Sequence, residues 1–260
     1  MAARAIWKGV VTFGSVELPV KLYSAAQDQK VHFRLLHAKD REPVEQRMVH
    51  PETGEVVPKE EVRRGYEVEP GTFVVLDDED LEAAKPEKSR TIEITRFVPK
   101  PVINHPWYDR PYYLGPDGEV AGDYFALAQA LEAEEREGVA RWTMRNKEYV
   151  GALRSIDGYL VLISMRYAGE VVSASQLPAP AGRDLNPKEV SMAEQLVSML
   201  EDDFRPGDFR NEYQDRVREL IETKARGGEV KVKKFVRKKP SDSLAGMLEA
   251  SLQGAKKRAS

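Results

Sequence analysis

Apolar and polar residues alternate through the first hundred positions instead of recurring every third or fourth. In VVTFGSVELPVKLYSA (10–25), Val11, Phe13, Val16, Leu18, Val20 and Leu22 keep a near-twofold spacing on either side of Gly14-Ser15. That pattern predicts a hairpin or bent strand pair. KVHFRLL (30–36) repeats it with Val31, Phe33 and Leu35, and HPETGEVVP (50–58) predicts a turn, punctuated by Pro51 and Gly54, before a short strand. GTFVVLD (71–77) and RTIEITRFV (90–98) are further strand segments. RWTMRNKEYVGALR (141–154) and GYLVLISMRY (158–167) read as a second pair of strands turning near Asp157-Gly158. Short, turn-rich strands of irregular spacing favour a barrel over a parallel sheet.

Helical spacing interrupts the strands once and then follows them. DYFALAQALEAEER (123–136) predicts a helix with Asp123 as N-cap and Gly138 just past its end. NPKEVSMAEQL (186–196) places Asn186 at the N-cap, Pro187 at the first helical position and Glu189 in a capping-box position. Its apolar stripe is Val190, Ala193, Leu196, Val197 and Leu200. DFRNEYQDRVRELIETKARGG (208–228) predicts a second long helix carrying Phe209, Tyr213, Val217, Leu220 and Ile221 on one face, ended by Gly227-Gly228. The succession of strands and then helices is α+β, and no internal repeat stands out in the residue pattern.

Composition changes the picture at the C-terminus. The whole chain carries 40 Lys and Arg against 43 Asp and Glu, a formal charge of -3. Residues 223–260 hold eleven of those cations and only three of the acids, so the preceding 222 residues are strongly acidic. The run VKVKKFVRKKP (230–240) cannot bury a core and reads as a self-repelling linker. Beyond it, SDSLAGMLEASL (241–252) recovers helical spacing with Leu244, Met247, Leu248 and Leu252. A lone helix of about a dozen residues is marginal in water. It either folds into a partner's groove or packs back on the body.

Several classes are disfavoured. No stretch approaches the roughly 18 apolar residues of a membrane span, and MAARAIWKGVV at the start has no signal-peptide h-region. There is no Cys, hence no disulfide, thiol nucleophile or Cys-ligated zinc; a reducing cytoplasm fits. Phosphate-loop, dinucleotide, zincin and nucleophile-elbow motifs are missing. The histidines His32, His37, His50 and His105 have no convincing ligand spacing.

The candidate chemistry is cationic. One cluster is Arg41, Arg47, Lys59, Arg63 and Arg64, around the HPETGEVVP turn; the other is Arg141, Arg145 and Lys147. Read as one strand, the second cluster shares parity and presents three cations on one face. Like charges that close suggest an anionic partner. The alternative is a solvated barrel exterior with local carboxylate pairs.

AIWKGVVTFGSVELPVKLYSA (5–25), RGYEVEPGTFVVLDDEDLEA (64–83), RPYYLGPDG (110–118), WTMRNKEYVGALR (142–154) and the helix pair from MAEQLVSMLEDDF (192–204) to YQDRVRELIETKARGG (213–228) resemble, in order, the bacterial Ku family of DNA-end-binding proteins. The resemblance implies a β-barrel core with an inserted bridge, a helical C-terminal arm and a short flexible tail. Its core spans residues 1–226, with a basic linker at 227–240 and a ligase-interacting helix and basic end at 241–260. It implies a ring-shaped homodimer that threads double-stranded DNA ends without sequence preference in non-homologous end joining. It further implies recruitment of an ATP-dependent DNA ligase through Leu244, Met247, Leu248 and Leu252, in the bacterial cytoplasm on the nucleoid.

Carried over by position, Arg47, Lys59, Arg63 and Arg64 belong to the bridge and Arg141, Arg145 and Lys147 to the DNA cradle. Some members have a Cys-x-x-Cys pair at the bridge turn where this chain has His50 and Thr53. No metal, cofactor or catalytic residue is therefore expected. The competing readings are a lysine-dependent abasic-site lyase and a general single-strand or RNA binder.

Overall fold

The computed structural model describes residues 3–118, 121–178 and 186–227. The chain divides into two compact units, residues 1–29 with 34–173, and residues 30–33 with 174–260. Residues 228–260, with the basic linker and the terminal helix expected there, lie outside the described residues.

The first unit is built on a closed seven-stranded barrel. Strands β1 (Trp7–Phe13), β2 (Val16–Ser24), β5 (Thr91–Pro99), β6 (Tyr108–Pro116), β7 (Arg136–Met144), β8 (Lys147–Ile156) and β9 (Tyr159–Met165) close in the order β1-β2-β6-β9-β8-β7-β5. Every pairing is antiparallel except β1 with β5. The predicted alternation fills the lumen: Val11, Leu18, Val20, Leu22, Ile92 and Leu114 are buried there together with Leu153, Leu160 and Leu162.

Helix α2 (Gly122–Ala133) packs on β7, β8 and β9 and adds Tyr124, Ala128 and Leu131 to the same core. The Tyr124 hydroxyl donates to the carbonyl of Leu114 and accepts from the Leu160 N–H at 2.8 Å. One side chain thus ties the helix to two neighbouring strands.

Turn chemistry sets the registers. Gly14 and Asp157-Gly158 supply the positive φ angles of the β1–β2 and β8–β9 hairpins, as their sequences predict. The segment RWTMRNKEYVGALR, expected as one strand, is instead the β7–β8 hairpin itself. Arg145 (φ 53°) and Asn146 (φ 60°) form its two-residue turn, with Met144 opposite Lys147. Two consecutive left-handed residues make the turn type I′, which matches the twist of the flanking strands.

Outside the barrel, β3 (Arg64–Glu69) and β4 (Thr72–Leu76) form a separate hairpin around Pro70-Gly71, followed by α1 (Asp78–Ala83) with a complete capping box between Asp77 and Asp80. Between β2 and β3 the strand expected at KVHFRLL does not form: Phe33, Leu35 and Leu36 are exposed, and the segment's one β-bridge among the described residues joins Leu36 to Pro43. Residues 35–44 and 48–57 instead make two equivalent knuckles, thirteen positions apart. The bridges are Leu36 with Pro43 and Val49 with Val56. His37 N–H donates to Glu42 O and His50 N–H to Glu55 O, at 2.8 and 2.9 Å. Arg41 and Gly54 return N–H bonds to the histidine carbonyls. Asp40 and Thr53 side chains accept from the backbones of Glu42 and Glu55. The two copies also share His37 and His50, Glu42 and Glu55, and Val44 and Val57 in sequence, a short repeat that the residue pattern carries but strand alternation does not flag. The strand expected after the HPETGEVVP turn shrinks to the single bridge at Val56.

The second unit holds α3 (Pro187–Met199) and α4 (Glu212–Ala225). Asn186 caps α3 by accepting from Lys188 N–H, with Pro187 at the first position; the reciprocal Glu189 bond of a capping box is absent among the described residues. Two helix-end expectations change. In α2 the cap residue is Ala121, Asp123 sits inside the first turn, and Gly138 lies in β7 because the left-handed Glu135 turns the chain directly into that strand. In α4 Asn211 caps the helix, so Phe209 precedes it and stacks on Phe204. The predicted stripes are half covered: Val190, Ala193, Leu196, Val217 and Leu220 are half-buried, whereas Val197, Leu200, Phe209, Tyr213 and Ile221 are exposed, as is Phe204 between the helices.

Candidate nucleic-acid interface

The sequence-predicted cations all lie on the first unit and all are exposed. Lys59 opens a short 3₁₀ turn (Lys59–Glu61) and Arg64 begins β3. Arg63, between them, donates from Nη1 to the carbonyls of Glu60 and Val62, at 2.5 and 3.2 Å. Those bonds fix its position. Arg47 lies 3.4 Å from Glu45, a solvent-exposed pair worth little. Among the described residues Lys59, Arg64, Arg141, Arg145 and Lys147 have no carboxylate partner.

The shared face expected for Arg141, Arg145 and Lys147 is not observed. The hairpin turn falls between them, so Arg141 lies on β7 opposite Val150 and Lys147 lies on β8 opposite the buried Met144. Cross-strand partners point to the same side of a sheet. Arg141 is therefore on the outer side of the barrel wall, whereas Lys147 follows the luminal parity at the rim and Arg145 occupies the tip. Arg145 and Lys147 stay close because they bracket a two-residue turn.

Arg145 and Arg41 share a further property. Both hold left-handed backbone (φ 53° and 63°), and Arg41 occupies the knuckle position that Gly54 (φ 71°) fills in the second copy. A non-glycine residue pays about 1–2 kcal/mol there.

Other lysines are already engaged. Lys21 Nζ lies 2.6 Å and Lys8 Nζ 3.2 Å from the two carboxylate oxygens of Asp117. The hydrogen bond to Asp117 raises the Lys21 pKa, and bonds from Lys21 and then Lys8 hold Asp117 below the usual carboxylate range.

Sequence reasoning also missed a network on the outer wall of the barrel. Glu137 of β7, Arg154 of β8 and Tyr108 of β6 converge: the Tyr108 hydroxyl donates to Glu137 Oε2 at 2.7 Å and accepts from Arg154 Nη2. The Arg154 guanidinium also sits 4.8 Å from the Tyr108 ring centre. Burial, then the bond to Glu137, push the Tyr108 pKa up to about 12. In sequence these residues are three unremarkable members of different strands. Among the described residues no group of three His, Cys, Asp or Glu side chains is gathered to hold a metal ion, and no helix is long and apolar enough to cross a membrane.

Residues 12–195 match the family model of the Ku70/Ku80 beta-barrel domain. A protein of Geotalea uraniireducens named non-homologous end joining protein Ku 2 is 37% identical over 255 residues, covering 97% of this chain and 99% of that one. The protein of the same general name from Solibacter usitatus is 32% identical, with 98% and 96% covered. That from Archaeoglobus fulgidus is 34% identical, with 97% and 100% covered.

Proposed function

Since this chain belongs to the Ku family, we propose that it binds the ends of double-stranded DNA without sequence preference as a homodimer in non-homologous end joining. In this reading its role is to clamp an end and recruit an ATP-dependent ligase through residues 241–260, rather than to catalyse. The observation that carries the reading is the hairpin tip at Arg145 and Lys147: two exposed cations without carboxylate partners, one of them on left-handed backbone, in a chain of net charge -3. Point cations of this kind suit phosphate oxygens, which carry no base information. Arg47, Lys59, Arg63, Arg64 and Arg141 extend the same surface chemistry on the first unit.

Homodimerisation draws support from the second unit, where Val197, Leu200, Phe204 and Phe209 are exposed and the rings of Phe204 and Phe209 stack with centres 5.3 Å apart. A ring closed by two copies would load only at a terminus, so end selectivity would follow from topology. The lyase alternative requires a lysine whose pKa is lowered; Lys21, held by Asp117, moves the other way.

Competition between a linear duplex and a covalently closed circle of the same sequence tests the proposal. Selective retention of the linear form as salt rises is the expected result. Equal affinity for both forms would refute an end clamp and leave a generic binder.

A further inference from the structure

The barrel is closed and leaves no strand edge, so among the described residues the free strand edges are those of the β3–β4 hairpin. The two edges differ. β3 carries Arg64, Glu67 and Glu69, and its register with β4 skips Val68 between Glu67 and Glu69. Charges and an irregularity of this kind keep a sheet edge from pairing with another chain. β4, of sequence TFVVL, has no charge and no proline. Among the described residues its backbone bonds only to β3. One edge is guarded and the other is open.

The side chains agree with the edges. Every residue of β3 is exposed, and so is every residue of β4 except the half-buried Leu76. Tyr66 and Val74 are cross-strand partners and share one face of the hairpin. Phe73 and Val75 take the other face, where a Cβ at Gly65 would stand 3.5 Å from the Phe73 ring. Tyr66, Phe73 and Val75 are 67%, 59% and 60% exposed. A two-stranded hairpin is marginal in water by itself, and further strands bring the stability it lacks.

We propose that β4 pairs with the β4 of a second copy, antiparallel across a two-fold axis at Val74, to make a four-stranded sheet with the two β3 strands outermost. This rests on the homodimer reading and assigns that reading a surface. A second copy fits because the open edge is self-complementary, as a two-fold contact requires. Centred on Val74, the pairing sets Val74 opposite the partner's Val74, Phe73 opposite the partner's Val75 and Thr72 opposite the partner's Leu76. Phe73 then gains a β-branched neighbour directly across the interface, a favourable cross-strand combination. On the other face Tyr66 and Val74 continue into the partner's Val74 and the partner's Tyr66 as one apolar row. No charge meets its own kind at the axis, since Arg64, Glu67 and Glu69 all lie on the outer strands. A charged strand from another protein would find no counter-charge on β4.

The chain has no cysteine, so Val74→Cys introduces a single thiol. Directly opposed residues have Cβ atoms about 4.5–5.5 Å apart, a small shift from disulfide geometry. Thr72→Cys is the control, because its two thiols would be offset by four residues, roughly 13 Å along the strands. Sedimentation of the full-length wild-type chain is expected to show a dimer. Under mild oxidation Val74→Cys should form linked dimer at least about tenfold faster than Thr72→Cys. Val74→Lys and Val74→Glu each set like charges opposite one another and should weaken the dimer about tenfold or more, whereas an equimolar mixture of the two should recover it. A wild-type dimer in which Val74→Cys links no faster than Thr72→Cys overturns the β4 pairing and leaves the homodimer standing. So does a dimer unmoved by the charged variants, or one that mixing them fails to recover. A wild-type chain that sediments as a monomer at every concentration refutes the homodimer, and the β4 pairing with it.

Discussion

Glu137 Oε1 stands 2.6 Å from Arg154 Nη2, an ion pair on the outer wall of the barrel in which the carboxylate is almost wholly buried (1% exposed) and the guanidinium about one-quarter exposed. The two come from strands β7 and β8, and Tyr108 of β6 completes the set. Removing one partner of such a pair leaves a charge buried without compensation, at about 3–5 kcal/mol. Arg154→Met is therefore expected to lower unfolding free energy by about 3 kcal/mol. The double variant Glu137→Gln/Arg154→Met should recover part of that loss, because the orphaned charge is gone. Chemical denaturation of the wild type, both single variants and the double variant measures it, and strictly additive losses would remove the ion pair as the cause.

The phenol of Tyr108 gives this network an alkaline limit. Its pKa is raised from 10 to about 12, so the folded chain holds the proton more tightly than the unfolded chain. That contribution is whole below pH 10 and disappears as pH climbs towards about 12. Burial also raises the pKa of Tyr112, Tyr124 and Tyr167, so phenolate absorbance should show a group of tyrosines that titrate late in the native protein and normally after denaturation. Tyr108→Phe should remove the part of that late absorbance due to Tyr108 and leave the rest.

At the β7–β8 turn, stability and binding are expected to part company. Arg145→Gly and Asn146→Gly each relieve left-handed strain and should raise stability by up to about 1 kcal/mol. Only Arg145→Gly removes a cation, and it should weaken DNA-end binding several-fold while Asn146→Gly does not. Thermal melts paired with end-binding titrations decide the matter; equal binding by both variants would take Arg145 out of the interface.

Salt dependence offers a count of phosphate contacts. If each Lys147 of the homodimer neutralises one phosphate, Lys147→Ala should reduce the slope of log K against log salt by about 1.8 per dimer, with no change in sequence preference. An unchanged slope means that Lys147 does not touch the backbone.

Removing residues 228–260 should leave end binding nearly intact and abolish stimulation of the partner ligase. Leu248→Asp in the full chain should reproduce the second effect alone. Loss of end binding on truncation would show that the tail, rather than the folded body, carries the DNA contact.

What was legible in the sequence followed from local chemistry. Twofold alternation marked most of the barrel strands, since one face of each must enter the core. Gly14 and Asp157-Gly158 announced two hairpins because few residues tolerate the backbone those turns need. Asn186-Pro187 announced α3 because a side-chain acceptor and a fixed φ start a helix without help from elsewhere. The resemblance, carried by blocks along nearly the whole chain, reached the family.

Other features were decided by partners distant in sequence. KVHFRLL has the strand pattern, but its end is drawn into the first knuckle, where Leu36 bridges to Pro43, so alternation alone could not make it a strand. Arg145-Asn146 is a turn because β7 and β8 need one there, although Gly is missing; that turn then sends Arg141 and Lys147 to opposite faces. The Glu137–Arg154–Tyr108 network exists only once the strands are placed. Alternation, turn residues and helix caps act over a few bonds and can be read along the chain. Burial of a charge and the face on which a cation emerges depend on pairings across the barrel, and closure of the tertiary structure alone settles them.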